Sequence, residues 1–299
     1  MMLKNFGQKE QFVREQSGKK RVALAAAHDA DALGSLMMAV DRGIAEAILI
    51  GRRKEIVRVL DEMGKDAGDF RIIEEEDDRA AADKAVELVH CGEADMPMKG
   101  LMHTSTFMKA ILDKEKGLKE DGNLLSQASV FEIPEKDRFL IISDCAVNID
   151  PDLETKIKIT ENAAALAHTL GIEQPKIAVL SAVEVVNPKI RSTVDAAAMR
   201  ERLSDRYLID GPLALDNAID EAAAHHKGIE SPVAGNADIL IVPDLWSGNI
   251  FSKGLVFFAH LRSAGTLNGL KAPVVMSSRT DTVENKYLSI LTAVLQTIR

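Results

Sequence analysis

Short apolar runs alternate with longer amphipathic stretches along most of the chain. The apolar runs predict strands at residues 22–27, 47–50, 70–73, 94–98, 129–133, 139–143, 177–181, 239–242 and 273–276. The amphipathic stretches predict helices at residues 29–42, 54–63, 79–91, 104–116, 151–170, 194–203, 250–264 and 283–298, and a further helix starting at Asp210-Gly211-Pro212. Strands without apolar/polar alternation, separated by helices, are typical of a mostly parallel sheet covered on both faces. The pattern therefore predicts an α/β fold.

Length and composition narrow the class of protein. A chain of 299 residues is long enough for two domains, and the polar segment 132–138 between two predicted strands is a candidate crossover between them. The chain carries 37 basic and 46 acidic side chains, a net charge of −9, and aromatic residues make up only 4% of it. Without a basic tract or stacking aromatics, nucleic-acid binding is not expected.

The cysteines and the N-terminal segment bear on the compartment. Cys91 and Cys145 do not form a Cys-x-x-Cys pair, so neither a zinc site nor a dithiol redox motif is predicted. Residues 1–20 are polar and charged, and no run of about 18 apolar residues follows. We therefore expect a cytoplasmic protein without a membrane span.

Ligands of open α/β sheets bind beyond the carboxyl ends of strands, so the polar segments after the predicted strands are candidate sites. Glycine-rich dinucleotide, P-loop and nucleophile-elbow motifs are absent from them. The segment after residues 94–98 contains Lys99, Gly100, His103, Thr104 and Ser105. A lysine, a glycine and hydroxyls before a helix favour an anion site, although a glycine turn with Thr104 as the N-cap fits equally.

Three further segments belong to the middle of the chain. The first holds Asp144 and Asn148, which could orient a substrate or cap a loop, and it includes Cys145, a candidate buried residue rather than a nucleophile. The other two segments contain polar side chains before predicted helices: Ser181, Arg191, Ser192 and Thr193 in one, and Asp244, Gly248, Asn249 and Lys253 in the other. The segment with Ser181, Arg191, Ser192 and Thr193 could bind phosphate or adenylate groups, or could be an exposed loop with a helix cap.

The segment after residues 273–276 contains Ser278, Arg279 and Asp281. Arg279 could hold a phosphate through two hydrogen bonds, and Ser278 could donate to an oxyanion. Asp281 could equally be a helix N-cap or the partner of Arg279 in a local ion pair.

Taken together, these segments resemble the phosphate acetyl/butyryltransferase family, most closely its phosphate butyryltransferase branch. The matching stretches are DCAVNIDPDLE at 144–154, LSAVEVVNPK at 180–189, STVDA at 192–196, DGPLALDNA at 210–218, SPVAGNAD at 231–238, PDL at 243–245 and SRTD at 278–281. The likeness covers the chain from about residue 18 onward.

The resemblance implies two α/β/α domains with mostly parallel sheets and an interdomain cleft, as in isocitrate and isopropylmalate dehydrogenases but without their nicotinamide cofactor or metal. One domain would combine residues 1–133 with 268–299, and the other would span 134–267. The implied reaction converts acyl-CoA and inorganic phosphate into acyl phosphate and CoA, with no covalently bound cofactor. A homodimer or higher homo-oligomer is also implied.

The resemblance assigns site residues as well. Arg279, Ser278 and Asp281 would be the catalytic set: phosphate binding, oxyanion stabilisation and proton transfer. The acetyltransferase relatives carry a carboxylate six residues beyond this arginine, where this chain has Asn285, so Asp281 stands in as the base. The substrate-binding set comprises Lys99, Gly100, His103, Thr104, Ser105, Asp144, Asn148, Ser181, Arg191, Ser192, Thr193, Asp210, Gly211, Asp244, Gly248, Asn249, Lys253 and Asn285. Two alternatives stay open: an altered member that only binds CoA or acyl phosphate, and a decarboxylating-dehydrogenase-like enzyme of the same fold.

Overall fold

The computed structural model describes residues 2–16, 18–120 and 122–298. Its strands are β1 (Lys20–Ala25), β2 (Ala45–Gly51), β3 (Arg71–Glu74), β4 (Met96–Lys99), β5 (Ser126–Ile133), β6 (Arg138–Ser143), β7 (Lys176–Leu180), β8 (Leu208–Leu213), β9 (Ile239–Ile241) and β10 (Ser263–Asn268). Its α-helices are α1 (Phe6–Arg14), α2 (Ala30–Asp41), α3 (Arg53–Glu62), α4 (Asp78–His90), α5 (Thr104–Ile111), α6 (Leu153–Thr169), α7 (Arg191–Leu203), α8 (Leu215–Ile219), α9 (Glu221–His226), α10 (Leu245–Phe257) and α11 (Val283–Ile298).

The chain divides into two compact units. The terminal unit consists of Phe6–Asn123 and Ala264–Arg299, and the central unit of Met1–Asn5 and Leu124–Ser263. The chain passes from the terminal unit to the central unit between Asn123 and Leu124, before β5, whereas the sequence placed a domain boundary after residue 133. The reason is that β5 pairs antiparallel with β6, from Ala128 opposite Ser143 to Ile133 opposite Arg138. The polar segment 132–138 is therefore a connection between two strands of one sheet, not a crossover between domains.

The terminal unit contains a fully parallel sheet with the strand order β3-β2-β1-β4. Its central strand β1 is apolar and buried from Val22 onward, because helices cover both faces of a parallel sheet. Helix α11 is buried continuously from Asn285 to Leu295 and packs against α2 and α1. Thus the last helix of the chain is a core element of this unit.

The central unit contains a sheet in which β6, β9, β7 and β8 run parallel and β5 is antiparallel. Its core includes Phe131, Ile142, Ala178 and Leu240. The α/β fold with mostly parallel sheets is thereby confirmed. Within the described residues, no helix is both long and apolar enough to cross a bilayer.

Three predicted elements are wrong. Asp210, Gly211 and Pro212 lie inside β8 and start no helix. A Cβ at Gly211 would lie 2.8 Å from the carbonyl oxygen of Val179, so glycine at this position allows β8 to lie close to β7. The predicted helix 250–264 is replaced by α10, which begins five residues earlier, at Leu245, because the Asp244 carboxylate accepts from the Ser247 amide and caps it.

The third wrong element is the predicted strand 273–276, which forms only isolated bridges, Val274 with Leu267 and Val275 with Met98. Helix α1 was not predicted, and its Lys9 is fully buried and donates to Thr292 of α11. A lysine counts as a surface position in a pattern of apolar and polar residues. The burial of Lys9 therefore hides the apolar face that would have predicted this helix.

Candidate functional site

Two predicted site segments meet at the carboxyl edge of the terminal unit's sheet. Strand β4 ends at Lys99, whose amide donates to the carbonyl oxygen of Val275 at 3.0 Å. Val275 in turn bridges Met98 in parallel. Two chain segments that run parallel side by side end at the same edge, so the residues after Lys99 and the loop Ser277–Asp281 emerge next to each other.

Gly100 brings the end of β1 against the end of β4. Its amide donates to the carbonyl oxygen of Ala25 at 2.8 Å, and a Cβ at this position would lie 2.3 Å from the carbonyl oxygen of Ala26. No larger residue fits without moving backbone. Gly100 thus allows β1 and β4 to end close together at this edge, and its role in ligand binding stays a prediction.

Arg279 and His103 form a direct contact at this edge. The Arg279 guanidinium lies 3.3 Å from His103 Nδ1. Because a guanidinium has only donors, Nδ1 accepts and the ring proton resides on Nε2 in this arrangement. His103, not Thr104, occupies the N-cap position of α5, and its side chain makes no capping hydrogen bond. The N-cap alternative for Thr104 is therefore wrong.

The first turn of α5 presents two exposed hydroxyls, those of Thr104 and Ser105. Amides at a helix N-terminus carry partial positive charge and favour an anion. With Arg279 in contact with the N-cap residue His103, this end of α5 can hold phosphate oxygens.

The loop that carries Arg279 is fixed at both ends. The Asp281 carboxylate accepts from the Ser278 amide at 2.7 Å, and Lys286 Nζ donates to the carbonyl oxygens of Ser278 at 3.1 Å and Asp281 at 2.5 Å. Lys286 is 2% exposed. Lys286 was not among the predicted site residues, although its place between the apolar-face positions of the last helix is a signal that could have indicated it.

Asn285, the neighbour of Lys286, lies buried in the first turn of α11. Its backbone N–H donates to Thr282 Oγ1 at 3.1 Å. The residue therefore stands close to the Arg279 loop, and its side chain is an amide rather than an ionisable group.

Lys99 is the most unusual charged residue of this edge. It is 5% exposed, and its Nζ makes only long contacts, 3.3 Å to the carbonyl oxygen of Gly100 and 3.5 Å to that of Met102. Burial is the largest cause that lowers the pKa of Lys99, and the positive charge of Arg279 is the next. Lys286 lowers it as well, while Asp29 and Asp281 oppose the shift. Three cations therefore converge here.

The central unit contains a separate cavity of about 610 Å³. Four of the predicted site residues line it: Ser181, Arg191, Ser192 and Asp244. The hydroxyls of Ser181 and Ser192 lie 2.8 Å apart. Leu180, Val242 and Phe251 add apolar surface. The cavity therefore suits a ligand with both apolar and polar parts.

The cations of this cavity are already paired. Arg191 lies 3.2 Å from Asp150 and 3.3 Å from Asp195, and the buried Lys156 lies 2.7 Å from Asp195. Thr193 is fully buried, and its hydroxyl donates to Ile190 in its own loop. The positive charge available to a phosphate is consequently smaller here than at the edge of the terminal unit.

Asp144 and its neighbours form a scaffold. The buried Asp144 carboxylate accepts from the amides of Gln127, Ala146, Val147 and Asn148 and from the Asn148 side chain. A Cβ at Gly248 would lie 2.4 Å from the carbonyl oxygen of Asp144. The Asn249 side chain donates to the carbonyl oxygen of Cys145. These four predicted residues thus bring α10 and the end of β6 together.

The remaining predicted residues lie apart from both clusters. Asp210 accepts from Gly211 and pairs with Arg200 at 3.3 Å, and Lys253 is exposed on α10. Cys145 is buried, and burial raises the pKa of its thiol to about 12. A thiol that stays protonated at neutral pH is no nucleophile, in agreement with the sequence analysis.

Comparison with known proteins gives a consistent picture. Residues 78–294 match the family model described as "Phosphate acetyl/butaryl transferase". The chain is 46% identical to the phosphate butyryltransferase of Clostridium acetobutylicum, over 98% of both chains. It is 42% identical to the phosphate acetyltransferase of Thermotoga maritima, over 94% of this chain and 97% of that one. The crystal structure of a branched-chain phosphotransacylase from Enterococcus faecalis V583 superposes with a TM-score of 0.83 at 35% identity, covering 93% of this chain and 98% of that one.

Proposed function

Because the chain belongs to the phosphate acetyl/butyryltransferase family and is an acyltransferase, we propose that it interconverts a short-chain acyl-CoA and inorganic phosphate with acyl phosphate and CoA. The observation that carries this proposal is the convergence of Lys99, Arg279 and Lys286 at the carboxyl edge of the terminal unit's sheet. Phosphate and acyl phosphate are anions, and two buried cations beside the exposed Arg279 lower their free energy of binding.

The acyl group that we propose is butyryl or one of similar size. The support is the higher identity to a phosphate butyryltransferase than to a phosphate acetyltransferase. Acetyl and butyryl differ by two methylenes, each contributing about 0.8 kcal/mol when buried. A pocket that fits the longer chain therefore discriminates between them by roughly tenfold.

Arg279 is proposed to hold the transferred phosphate. The guanidinium projects beside His103, and the first turn of α5 with Thr104 and Ser105 offers further donors to the same oxygens. Phosphate held by several fixed donors is positioned for attack on the thioester carbonyl, which replaces a costly encounter in solution. The Ser278 hydroxyl, exposed on the same loop, is proposed to stabilise the oxyanion of the tetrahedral intermediate.

CoA is proposed as a substrate and product, with no covalently bound cofactor. The cavity of the central unit, with Ser181, Ser192 and Arg191 beside apolar walls, fits the mixed chemistry of its pantetheine and nucleotide parts. The contacts described above between α10 and the end of β6 hold the backbone of this unit in place, and they involve Asp144, Asn148, Gly248 and Asn249. Substitution of these residues would weaken CoA binding by displacing the backbone that they hold in place.

We further propose a homo-oligomer in the cytoplasm. Trp246, Ile250 and Phe257 lie on α10 at helical spacing, and each is more than half exposed, a surface that a second copy of the chain would cover. Cys91 is a free and exposed thiol, which suits a reducing compartment. Light scattering of the wild-type protein and of Ile250→Glu tests the assembly: a lower mass for the variant supports it, and a monomeric wild type contradicts it.

A thiol-release assay tests the reaction. Phosphate and acetyl-, propionyl-, butyryl- or isobutyryl-CoA are supplied in turn, and free CoA is measured with a disulfide reagent. We expect phosphate-dependent release that is fastest with butyryl- or isobutyryl-CoA. No release with any of these donors would disprove the proposed reaction, and fastest release with acetyl-CoA would disprove the proposed acyl specificity.

A further inference from the structure

The proposed reaction requires a proton acceptor, and neither Asn285 nor Asp281 suits this role. When acyl phosphate reacts with CoA, the thiol must lose its proton, and a free thiol with a pKa of about 8.5 is mostly protonated at neutral pH. Asn285 carries an amide that cannot take up this proton. The Asp281 carboxylate accepts from the Ser278 amide at 2.7 Å, so proton uptake there would weaken a bond that fixes the Arg279 loop.

We propose that Lys99 is the catalytic residue that accepts the proton of the CoA thiol and returns it to the departing thiolate in the opposite direction. This inference rests on the proposed reaction. It gives Lys99 a role in proton transfer, beyond the anion binding expected of a lysine beside phosphate.

The geometry separates Lys99 from the other buried lysines. Lys156 is 3% exposed but lies 2.7 Å from the Asp195 carboxylate, and Lys9 is fully buried but donates to Thr292 at 2.9 Å. Lys99 has no carboxylate within ion-pair distance in the described part of the chain. Its two contacts, to Gly100 and Met102, are at the long limit of hydrogen bonding. Little therefore holds its amine in the charged form.

The net effect of the charges around Lys99 is to lower its pKa, as burial does. Arg279 and Lys286 face it from the loop and from α11, and they outweigh Asp281 on that loop and Asp29 at the start of α2. His103, at the start of α5, contacts the Arg279 guanidinium. Burial and the neighbouring cations lower the pKa of Lys99, so the neutral amine is more populated at neutral pH than in an ordinary lysine. A base is most effective when its pKa lies near the operating pH.

The proposed step is balanced without a further reactant. The lone pair of Lys99 Nζ takes the proton of the CoA thiol, and the S–H bonding pair remains on sulfur. The thiolate attacks the acyl carbon of the acyl phosphate, the tetrahedral intermediate collapses, and the C–O bond breaks with its electron pair on phosphate. The departing phosphate oxygen takes the proton from the Lys99 ammonium, so phosphate leaves as hydrogen phosphate and the amine is neutral again. In the reverse direction hydrogen phosphate gives its proton to the neutral Lys99 amine as it attacks the thioester, and the resulting ammonium protonates the thiolate as the C–S bond breaks.

Substitution separates proton transfer from positive charge. Lys99→Arg retains a charge that cannot be removed at accessible pH, whereas Lys99→Met removes both functions. With butyryl phosphate and CoA we expect Lys99→Arg to lower kcat by 100-fold or more, with KM for butyryl phosphate within about threefold of wild type, because general acid–base catalysis contributes 10²–10⁴-fold. Lys109→Met, on the exposed side of α5, is the matched control and should leave both constants unchanged.

Chemical rescue provides a second measurement if arginine does not fit the buried site. Lys99→Ala leaves a space beside Gly100 that a small primary amine can enter. We expect methylamine and ethylamine to restore the activity of this variant in proportion to the concentration of free base, and to leave wild type and Lys109→Met unaffected.

The outcomes are distinct. A Lys99→Arg enzyme that keeps more than a third of the wild-type kcat would overturn the inference, and so would a folded Lys99→Ala enzyme on which amines have no effect. Either result with an active wild type leaves the proposed reaction standing. A wild type that neither releases nor consumes CoA would instead refute the proposed reaction itself.

Discussion

Lys286 Nζ lies 3.1 Å from the carbonyl oxygen of Ser278 and 2.5 Å from that of Asp281. One buried ammonium thus ties both flanks of Arg279 to the first turn of α11. The Asp281 carboxylate closes the same loop through the Ser278 amide. The guanidinium that we propose to hold phosphate is therefore positioned by a helix of the core rather than by a free loop.

Lys286→Met should raise KM for phosphate by about tenfold or more, because the loop loses hydrogen bonds to a charged group that contribute roughly 1.5–3 kcal/mol each. Lys286→Arg should recover part of the loss, since it restores donors to the same carbonyls. Steady-state kinetics with varied phosphate measure the effect. A Lys286→Met enzyme with a normal KM would show that the loop is held without this lysine.

Arg279→Ala should reduce kcat/KM by at least 100-fold, which corresponds to about 2.7 kcal/mol of transition-state stabilisation. Arg279→Lys should recover less than a tenth of the loss, because a lysine cannot form the paired hydrogen bonds of a guanidinium. The thiol-release assay reports both values. Near wild-type turnover of the alanine variant would remove Arg279 from the mechanism.

Asp281→Asn distinguishes a positioning carboxylate from a base. The asparagine oxygen can still accept from the Ser278 amide, so we expect a loss of activity below tenfold and an unchanged pH–rate profile. The profile is measured in the direction that consumes CoA. If its acid limb disappeared in this variant, Asp281 would be the base, as the resemblance implied, and Lys99 would not.

Lys99→Met should unfold at higher denaturant concentration than wild type at pH 7. The folded state lowers the pKa of Lys99, so the unfolded chain binds the extra proton between the folded pKa and the ordinary lysine value of about 10.4. The loss in the wild type's free energy of unfolding is largest below the pKa of Lys99 in the folded state. It disappears as the pH rises toward the pKa of a free lysine. Denaturant unfolding at pH 7, 9 and 10 should show the difference shrinking, and a widening difference would contradict this account.

Cys91 and Cys145 should differ in reactivity. Cys91 is exposed, whereas Cys145 is buried with a thiol pKa of about 12. Iodoacetamide at pH 8 should therefore modify Cys91 alone in the folded protein, as read by mass spectrometry of the digested chain. Cys145→Ala should retain most of the activity, and a 100-fold loss in a folded variant would be inconsistent with a purely structural thiol.

The sequence predicted the fold class and the segments of the site because both depend on local patterns. The parallel sheets follow from apolar runs without alternation, and Lys99, His103 and Arg279 were chosen as candidates because polar residues follow strands. The position of α10 was missed because Asp244, the residue that starts it, was interpreted as part of a ligand loop. Gly211-Pro212 was mistaken for a helix start because its close approach to β7 depends on a distant strand.

Lys286 and the proposed proton-transfer role of Lys99 were not accessible from the sequence for a different reason. A lysine is expected at the surface, and only the three-dimensional packing shows that these two are buried at 2% and 5% exposure. The resemblance also indicated Asp281 as a base, because the hydrogen bond from the Ser278 amide to its carboxylate is visible only in the structure. Charge and burial at a site are properties of contacts between segments far apart in the chain.

The division of the terminal unit between Phe6–Asn123 and Ala264–Arg299 has a consequence for biosynthesis. A ribosome that has made the first segment cannot supply α11, the helix that covers α1 and α2, until it has completed the chain. The apolar surfaces of the nascent first segment stay uncovered through the translation of the central unit, which can fold first. Premature termination before residue 264 would therefore release a chain with an unprotected core and without Arg279.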